Sequence, residues 1–254
     1  MTSGAASLTL EARNRSGPDL REAPMQIRKL KLCHPPNVRS ARATWLLHEL
    51  VDDGFDLETT ASPDAGRHSD LVLDANPDAP VLEIVTEDGA STRMNVSGAM
   101  VVLLADAFPE RGLAPPPGPF SHGRADYLQM IHFCGTTIDM MLWQIRIEET
   151  VLADGGSDDW AGGRYRRTFS GAVEPQLMWR LEDGGYACGR RFSAADCMLG
   201  HGVLSARAQG LCTAPAFTEY VDRLSQRQAF ASAFAGLADV QMRRDAPVVE
   251  PFTA

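Results

Sequence analysis

Asn95-Val96-Ser97-Gly98-Ala99-Met100 places a serine between a strand-like run, Ser91 to Val96, and a run with helical spacing that reaches Ala107. A hydroxyl beside the free N–H groups of a first helical turn is a ready site for a carboxylate, since the helix dipole and the unpaired donors both favour negative charge. A second helix start follows Pro35-Pro36-Asn37. There Val38-Arg39-Ser40 would present hydroxyl and backbone donors to a ligand anion at the positive end of a helix, where the pKa of a bound thiol is lowered. The third point is Ala79-Pro80, turning into the apolar run Val81 to Val85. A cis peptide at that proline would expose the Ala79 backbone to an extended peptide ligand.

Other chemistries lack their patterns. The six histidines show no HxxxH, HExxH or paired-cysteine spacing, so no metal site is expected. No GxSxG elbow accompanies a serine, and no GxGxxG or GxxxxGK[ST] run supports a nucleotide. Five cysteines (Cys33, Cys134, Cys188, Cys197, Cys212) are odd in number, widely spaced and without a CxxC, which reads as reduced thiols in a cytoplasmic protein. Cys33 is the one thiol close to the three loops, and a disulfide-exchange reading would have to use it.

Several elements must position those loops. Ile27 to Cys33 alternates in period two, with Leu30 and Leu32 on one face, and reads as a strand. Ala43, Leu46, Leu47 and Leu50 fall at helical spacing on a helix ending near Asp52-Asp53-Gly54. Phe55 to Thr60 is a second strand, and Leu71 to Leu73 suggests a helical turn in a polar stretch. Val81 to Val85 and Ser91 to Val96 flank Glu87-Asp88-Gly89 as a hairpin. The order is βαβαββα over residues 26–108, after an arm at 1–25 of low burial capacity.

Residues 109–122 are a proline-rich linker. From 123 to 239 the pattern is all helical, and 240–254 is a tail. Tyr127, Met130, Ile131 and Cys134 continue into Ile138, Met141, Leu142 and Ile145, one long helix with a weak point at Gly135-Thr136-Thr137. Arg164 to Leu181 forms another, bent at Pro175. Ser193-Ala194-Ala195-Asp196 has the form of a capping box opening a helix rich in Ala and Gly, whose small residues suit a central, closely packed position. Shorter amphipathic helices cover Pro215 to Ser225 and Gln228 to Leu237.

With 254 residues, 44% hydrophobic and 22% charged, the chain has ample material for a core, and its net charge of -9 argues against a nucleic-acid partner. Arg28, Lys29, Lys31, Arg39 and Arg42 cluster around the first strand and helix, as a solvated face or as a local field that draws in a small anion. No apolar run reaches the length of a membrane span.

Taken in order, Val38 to Leu50, Asn76-Pro77-Asp78-Ala79-Pro80-Val81-Leu82-Glu83, Ser97-Gly98-Ala99-Met100-Val101, the passage from Leu104 to Pro116, and Phe192-Ser193-Ala194-Ala195-Asp196 resemble the glutathione transferase family across nearly all of residues 27 to 238. The resemblance implies a thioredoxin-like N-terminal domain, an all-helical C-terminal domain, a homodimer, and glutathione as co-substrate. It also implies thiolate attack on a small hydrophobic electrophile, in conjugation or reductive removal of a group. On this chain Asn37 and Ser40 are the candidates to activate the thiol. Pro80 matches the family's cis-proline, Ser97 the serine that binds the γ-glutamyl carboxylate, and Val38, Arg39, Ala79, Val81 and Val96 complete the glutathione side. Tyr127, Met130, Ile131 and Cys134 would line the second-substrate pocket or belong to the core. Val38 stands where relatives carry a serine and Val96 where they carry Glu or Gln, and Asn-Pro-Asp-Ala-Pro is a shortened form of the family's passage. A protein of the same fold that binds or regulates without catalysis is therefore the second reading.

Overall fold

Four strands form one mixed sheet in the computed structural model: β1 (Ile27–His34), β2 (Asp56–Thr59), β3 (Val81–Thr86) and β4 (Ser91–Met94), in the order β2-β1-β3-β4. The structure describes residues 26–34, 40–59, 80–151 and 163–235. β1 runs parallel to β2 and antiparallel to β3, and β3 and β4 are the antiparallel hairpin. A parallel pair needs a crossover, which α1 (Ala41–Val51) supplies.

The period-two pattern of β1 explains its position. Leu30 and Leu32 are buried opposite Ile84 and Leu82, while Lys29 and Lys31 on the other face pair with Asp56 and Glu58 at 2.5 Å. The hairpin turns where expected: Gly89 takes φ +86, and Asp88 Oδ1 accepts from the Thr86 hydroxyl at 2.6 Å and the Ala90 amide at 3.1 Å. α2 (Ser97–Ala107) completes the thioredoxin-like order. The helical turn expected around Leu71 to Leu73 lies outside the described residues.

A single 3₁₀ turn, Pro109–Arg111, opens the linker, and helices follow. α3 (His122–Phe133) and α4 (Asp139–Val151) are joined without a break by a π turn at Cys134–Ile138. The weak point is thus a local widening of one helical path. Thr136 Oγ1 donates to the His132 carbonyl at 2.8 Å, competing with the backbone amides for that acceptor. α5 (Arg164–Thr168) and α6 (Glu174–Gly184) are likewise joined by a π turn at Phe169–Val173. The irregularity falls one turn ahead of Pro175, because the ring crowds, and its missing N–H cannot serve, the carbonyl four residues back.

α7 (Ala194–Ala208) is the buried axis, opened by the capping box of Ser193 and Asp196. α8 (Pro215–Ser225) and α9 (Gln228–Phe234) close the fold; Leu237 lies outside the described residues. One hydrophobic cluster runs from β1 through α1 and α7 to α9. Trp45 of α1 is its hinge point, with ring centroids 5.6 Å from Phe192, 5.1 Å from Phe230 and 5.8 Å from Phe234.

Candidate functional site

Sheet register sets three strand termini side by side. Cys33 is paired with Val81, and Leu82 with Met94. The end of β1, the start of β3 after Pro80, and the end of β4 leading into α2 therefore lie side by side at one end of the sheet. The helices α1 and α2 both begin at that end.

At α2 the chain leaves β4 through buried Asn95 and extended Val96, with φ -97 and ψ 106 at the N-cap. Val96 is 49% exposed and, being a hydrocarbon, caps nothing. The first intrahelical bond runs from the Met100 amide to the Val96 carbonyl at 3.0 Å, so the amides of Ser97, Gly98 and Ala99 precede it. A ligand carboxylate would take the place of the missing cap, with the Ser97 hydroxyl beside it.

At α1, Ser40 holds the N-cap position in an α conformation, and its carbonyl accepts from the Thr44 amide at 3.0 Å and the Thr44 hydroxyl at 3.2 Å. Ser40 is 0% exposed. Asn37, Val38, Arg39 and Ala79 lie outside the described residues, and with Ala79 the expected cis peptide; Pro80 and Val81 are buried at the head of β3. Cys33 is half-buried with its thiol 3.5 Å from Glu58 Oε2, and burial pushes its pKa up, which disfavours a nucleophilic thiolate.

The expected second-substrate residues are core. Tyr127, Met130, Ile131 and Cys134 are all buried, because their helical stripe faces α7; Cys134 contacts Met130 through sulfur at 3.8 Å. The Tyr127 hydroxyl has no hydrogen-bond partner among the described residues, and burial raises its pKa so that it stays neutral.

The cation cluster also divides differently from the expectation. Lys29 and Lys31 are spent on surface ion pairs across β1 and β2, whereas Arg42 is completely buried. Its guanidinium makes a bidentate pair with Asp139, at 2.7 and 2.5 Å, and lies 3.0 Å from His201 Nδ1. That cluster ties the first turn of α1 to the end of the π turn and to α7. Nothing in the local sequence marks it, since the three residues are far apart in the chain. Among the described residues no group of three His, Cys, Asp or Glu could hold a metal, and no helix is long and apolar enough to cross a membrane.

No protein-family model and no curated protein sequence matches the chain. Solved structures do. A glutathione transferase from Methylococcus capsulatus str. Bath superposes with a TM-score of 0.63 at 24% identity, covering 82% of this chain and 98% of its own. The glutathione transferase URE2P8 from Phanerochaete chrysosporium, with oxidized glutathione, gives 0.66 at 18% identity over 87% and 99%. A glutathione transferase homolog from Lodderomyces elongisporus, with two GSH per subunit, gives 0.67 at 16% identity over 82% and 98%. The chain has the glutathione transferase fold.

Proposed function

We propose that the protein is a glutathione transferase-like enzyme that directs the glutathione thiolate at a small hydrophobic electrophile, conjugating it or removing a group from it reductively. The observation that supports this reading is the register that sets the end of β1, the start of β3 after Pro80 and the start of α2 side by side, in a fold whose solved examples include glutathione complexes. Ser97 and the first amides of α2 hold the γ-glutamyl carboxylate, and the Ala79 backbone pairs with the cysteinyl part. Val38, Arg39 and Val81 border the tripeptide. Of the two thiol-orienting candidates, the complete burial of Ser40 favours Asn37. Glutathione is a co-substrate here, and the electrophile reaches the thiol from the helical side.

A specific observation favours the second reading, a binding or regulatory protein without catalysis. Val96 has no side-chain group for the γ-glutamyl amine at a site where a charge-assisted hydrogen bond contributes about 1.5 to 3 kcal/mol. Five cysteines, all free, support a reducing compartment, the cytoplasm.

Calorimetric titration with glutathione followed by a conjugation assay on an activated aryl halide separates the readings. Saturable binding with turnover, weakened about tenfold in Ser97→Ala by the loss of one hydrogen bond to a charged group, is the expected result. Absence of binding at millimolar glutathione sinks the proposal. Binding without turnover, unchanged in Asn37→Ala, supports the non-catalytic protein.

A further inference from the structure

At the other end of α1 from the candidate site lies a cleft of 310 Å³ between the 3₁₀ turn at Arg111, the loop 186–192 and Arg227. Arg111, Arg190, Arg191 and Arg227 line it, with Tyr186 and Phe192, and no carboxylate does. In a chain of net charge -9 such a concentration of guanidinium groups stands against the overall charge. Arg227 is already committed: it is paired with Glu49 at 2.6 and 2.7 Å and its guanidinium sits 3.8 Å over the Phe192 ring, forming a wall of the cleft. Arg111 faces Asp52 only at 3.7 Å, an exposed pair of little strength. Arg190 and Arg191 are exposed and have no hydrogen-bond or ion-pair partner among the described residues.

The loop that carries these two arginines is built to hold them. Gly185 takes φ +81 to end α6, Gly189 takes φ +113, and Tyr186 and Gly189 form a backbone bridge with the Tyr186 amide donating at 3.0 Å. Gly184 packs so closely that a Cβ there would meet the Gly189 backbone at 2.7 Å. Arg223 fastens the outside, donating to the Gly185 carbonyl at 2.7 Å while lying over the Tyr186 ring. On the far side the Ala194 amide donates to the Leu113 carbonyl at 2.8 Å, which fixes the turn bearing Arg111 to the start of α7. Three guanidinium forks without strong partners, two on this short, braced loop and one on the 3₁₀ turn, thus border one shallow, open cleft. Planar forks of this kind match phosphate oxygens two at a time, and several of them favour adjacent anionic groups over a single carboxylate.

We propose that the cleft formed by Arg111, Arg190 and Arg191 is a second ligand site, separate from the glutathione end of the sheet, for a small molecule bearing a diphosphate or a comparable pair of adjacent anionic groups. Binding needs no glutathione, and the two sites load independently.

The test is calorimetric titration of the full chain with sodium pyrophosphate, with sulfate and acetate as comparisons at matched ionic strength. Pyrophosphate is expected to bind one per chain, more tightly than sulfate, with acetate weakest, and to bind equally in saturating glutathione. Arg190→Ala/Arg191→Ala should lower the affinity by about tenfold or more, since each lost charge-assisted contact is worth roughly that factor. Arg190→Lys/Arg191→Lys, which keeps the charge and loses the forks, should fall between, and Arg111→Ala gives an independent third reading from a different segment. No saturable pyrophosphate binding up to about 10 mM, the weak end of the affinity scale, overturns the site. So does binding that survives both the alanine double variant and Arg111→Ala, or that glutathione displaces.

Discussion

Asp196 shows how much chemistry one side chain can carry without touching a ligand. It is completely buried, and its Oδ1 accepts from the Ala187 amide at 2.7 Å and the Tyr220 hydroxyl at 2.9 Å, its Oδ2 from the Ser193 amide at 2.9 Å and the Ser193 hydroxyl at 3.2 Å. Burial pushes its carboxyl up to about 6, against the pull of those donors. A folded-state pKa above the unfolded one means that the folded protein binds the proton more tightly. The stabilisation from that proton is present below about pH 4 and is lost as pH rises through about 6. Tyr220→Phe removes a donor that favours the charged form, so its cost should be larger at pH 7.5 than at pH 4.5. At pH 7.5 it should be about 1.5 to 3 kcal/mol, the worth of a hydrogen bond to a charged group. Urea unfolding midpoints at the two pH values check this; equal losses would mean that Asp196 does not titrate in the window. The Ser-Ala-Ala-Asp spacing made the capping box legible in the sequence because a cap is a local device. Tyr220 lies 24 residues on, and no local pattern announces it.

Elements declare themselves by periodicity, and close approach between them by small residues. α7 was expected to be central from its glycines and alanines, and the packing gives the reason. A Cβ on Gly200 would meet Leu224 Cδ1 at 2.8 Å and the Trp45 ring at 3.0 Å, and one on Gly202 would meet Ile138 Cγ2 at 3.2 Å. Gly200→Ala should therefore destabilise by about 1 to 3 kcal/mol through overpacking, since the indole is walled in by three phenyl rings. Gly135→Ala, at an exposed position with nothing within 4 Å of the added carbon, should be neutral or stabilising by about 0.5 to 1 kcal/mol through backbone entropy. Thermal denaturation of the pair reads both; a Gly200→Ala protein as stable as the parent would show that α7 can move away from α1. The strands, the hairpin and most helices follow the apolar spacing of the chain. The two π turns do not, because a π turn changes the hydrogen bonding of a helix while leaving its hydrophobic stripe nearly intact.

For the molecule as a whole, the exposed apolar side chains bear on assembly. Val96, Ala99 and Leu103 form a stripe along the outside of α2, with Val96 49% and Leu103 43% exposed, and Met140 and Trp143 are exposed on α4. A second copy of the chain is the occupant proposed for the α2 stripe. Leu103→Glu should convert a dimer into a monomer in light scattering while leaving the fold intact by circular dichroism. A parent protein that is already monomeric would refute the assignment. The cluster of buried Arg42 and Asp139 with His201 belongs to this scale too, because it joins the helix that starts at the candidate site to the helical half.

Periodicity, turn residues and caps, which act over a few positions, are enough to read the described strands, the hairpin, the capping box and the central helix from the chain. Not legible there are the burial of Ser40 and Arg42, the choice of core over pocket for Tyr127, Met130, Ile131 and Cys134, and the sharing of one cleft by arginines of three separate segments. Those outcomes depend on which faces meet across long stretches of chain. Spacing along the sequence records the face on which a residue sits but not what packs against it.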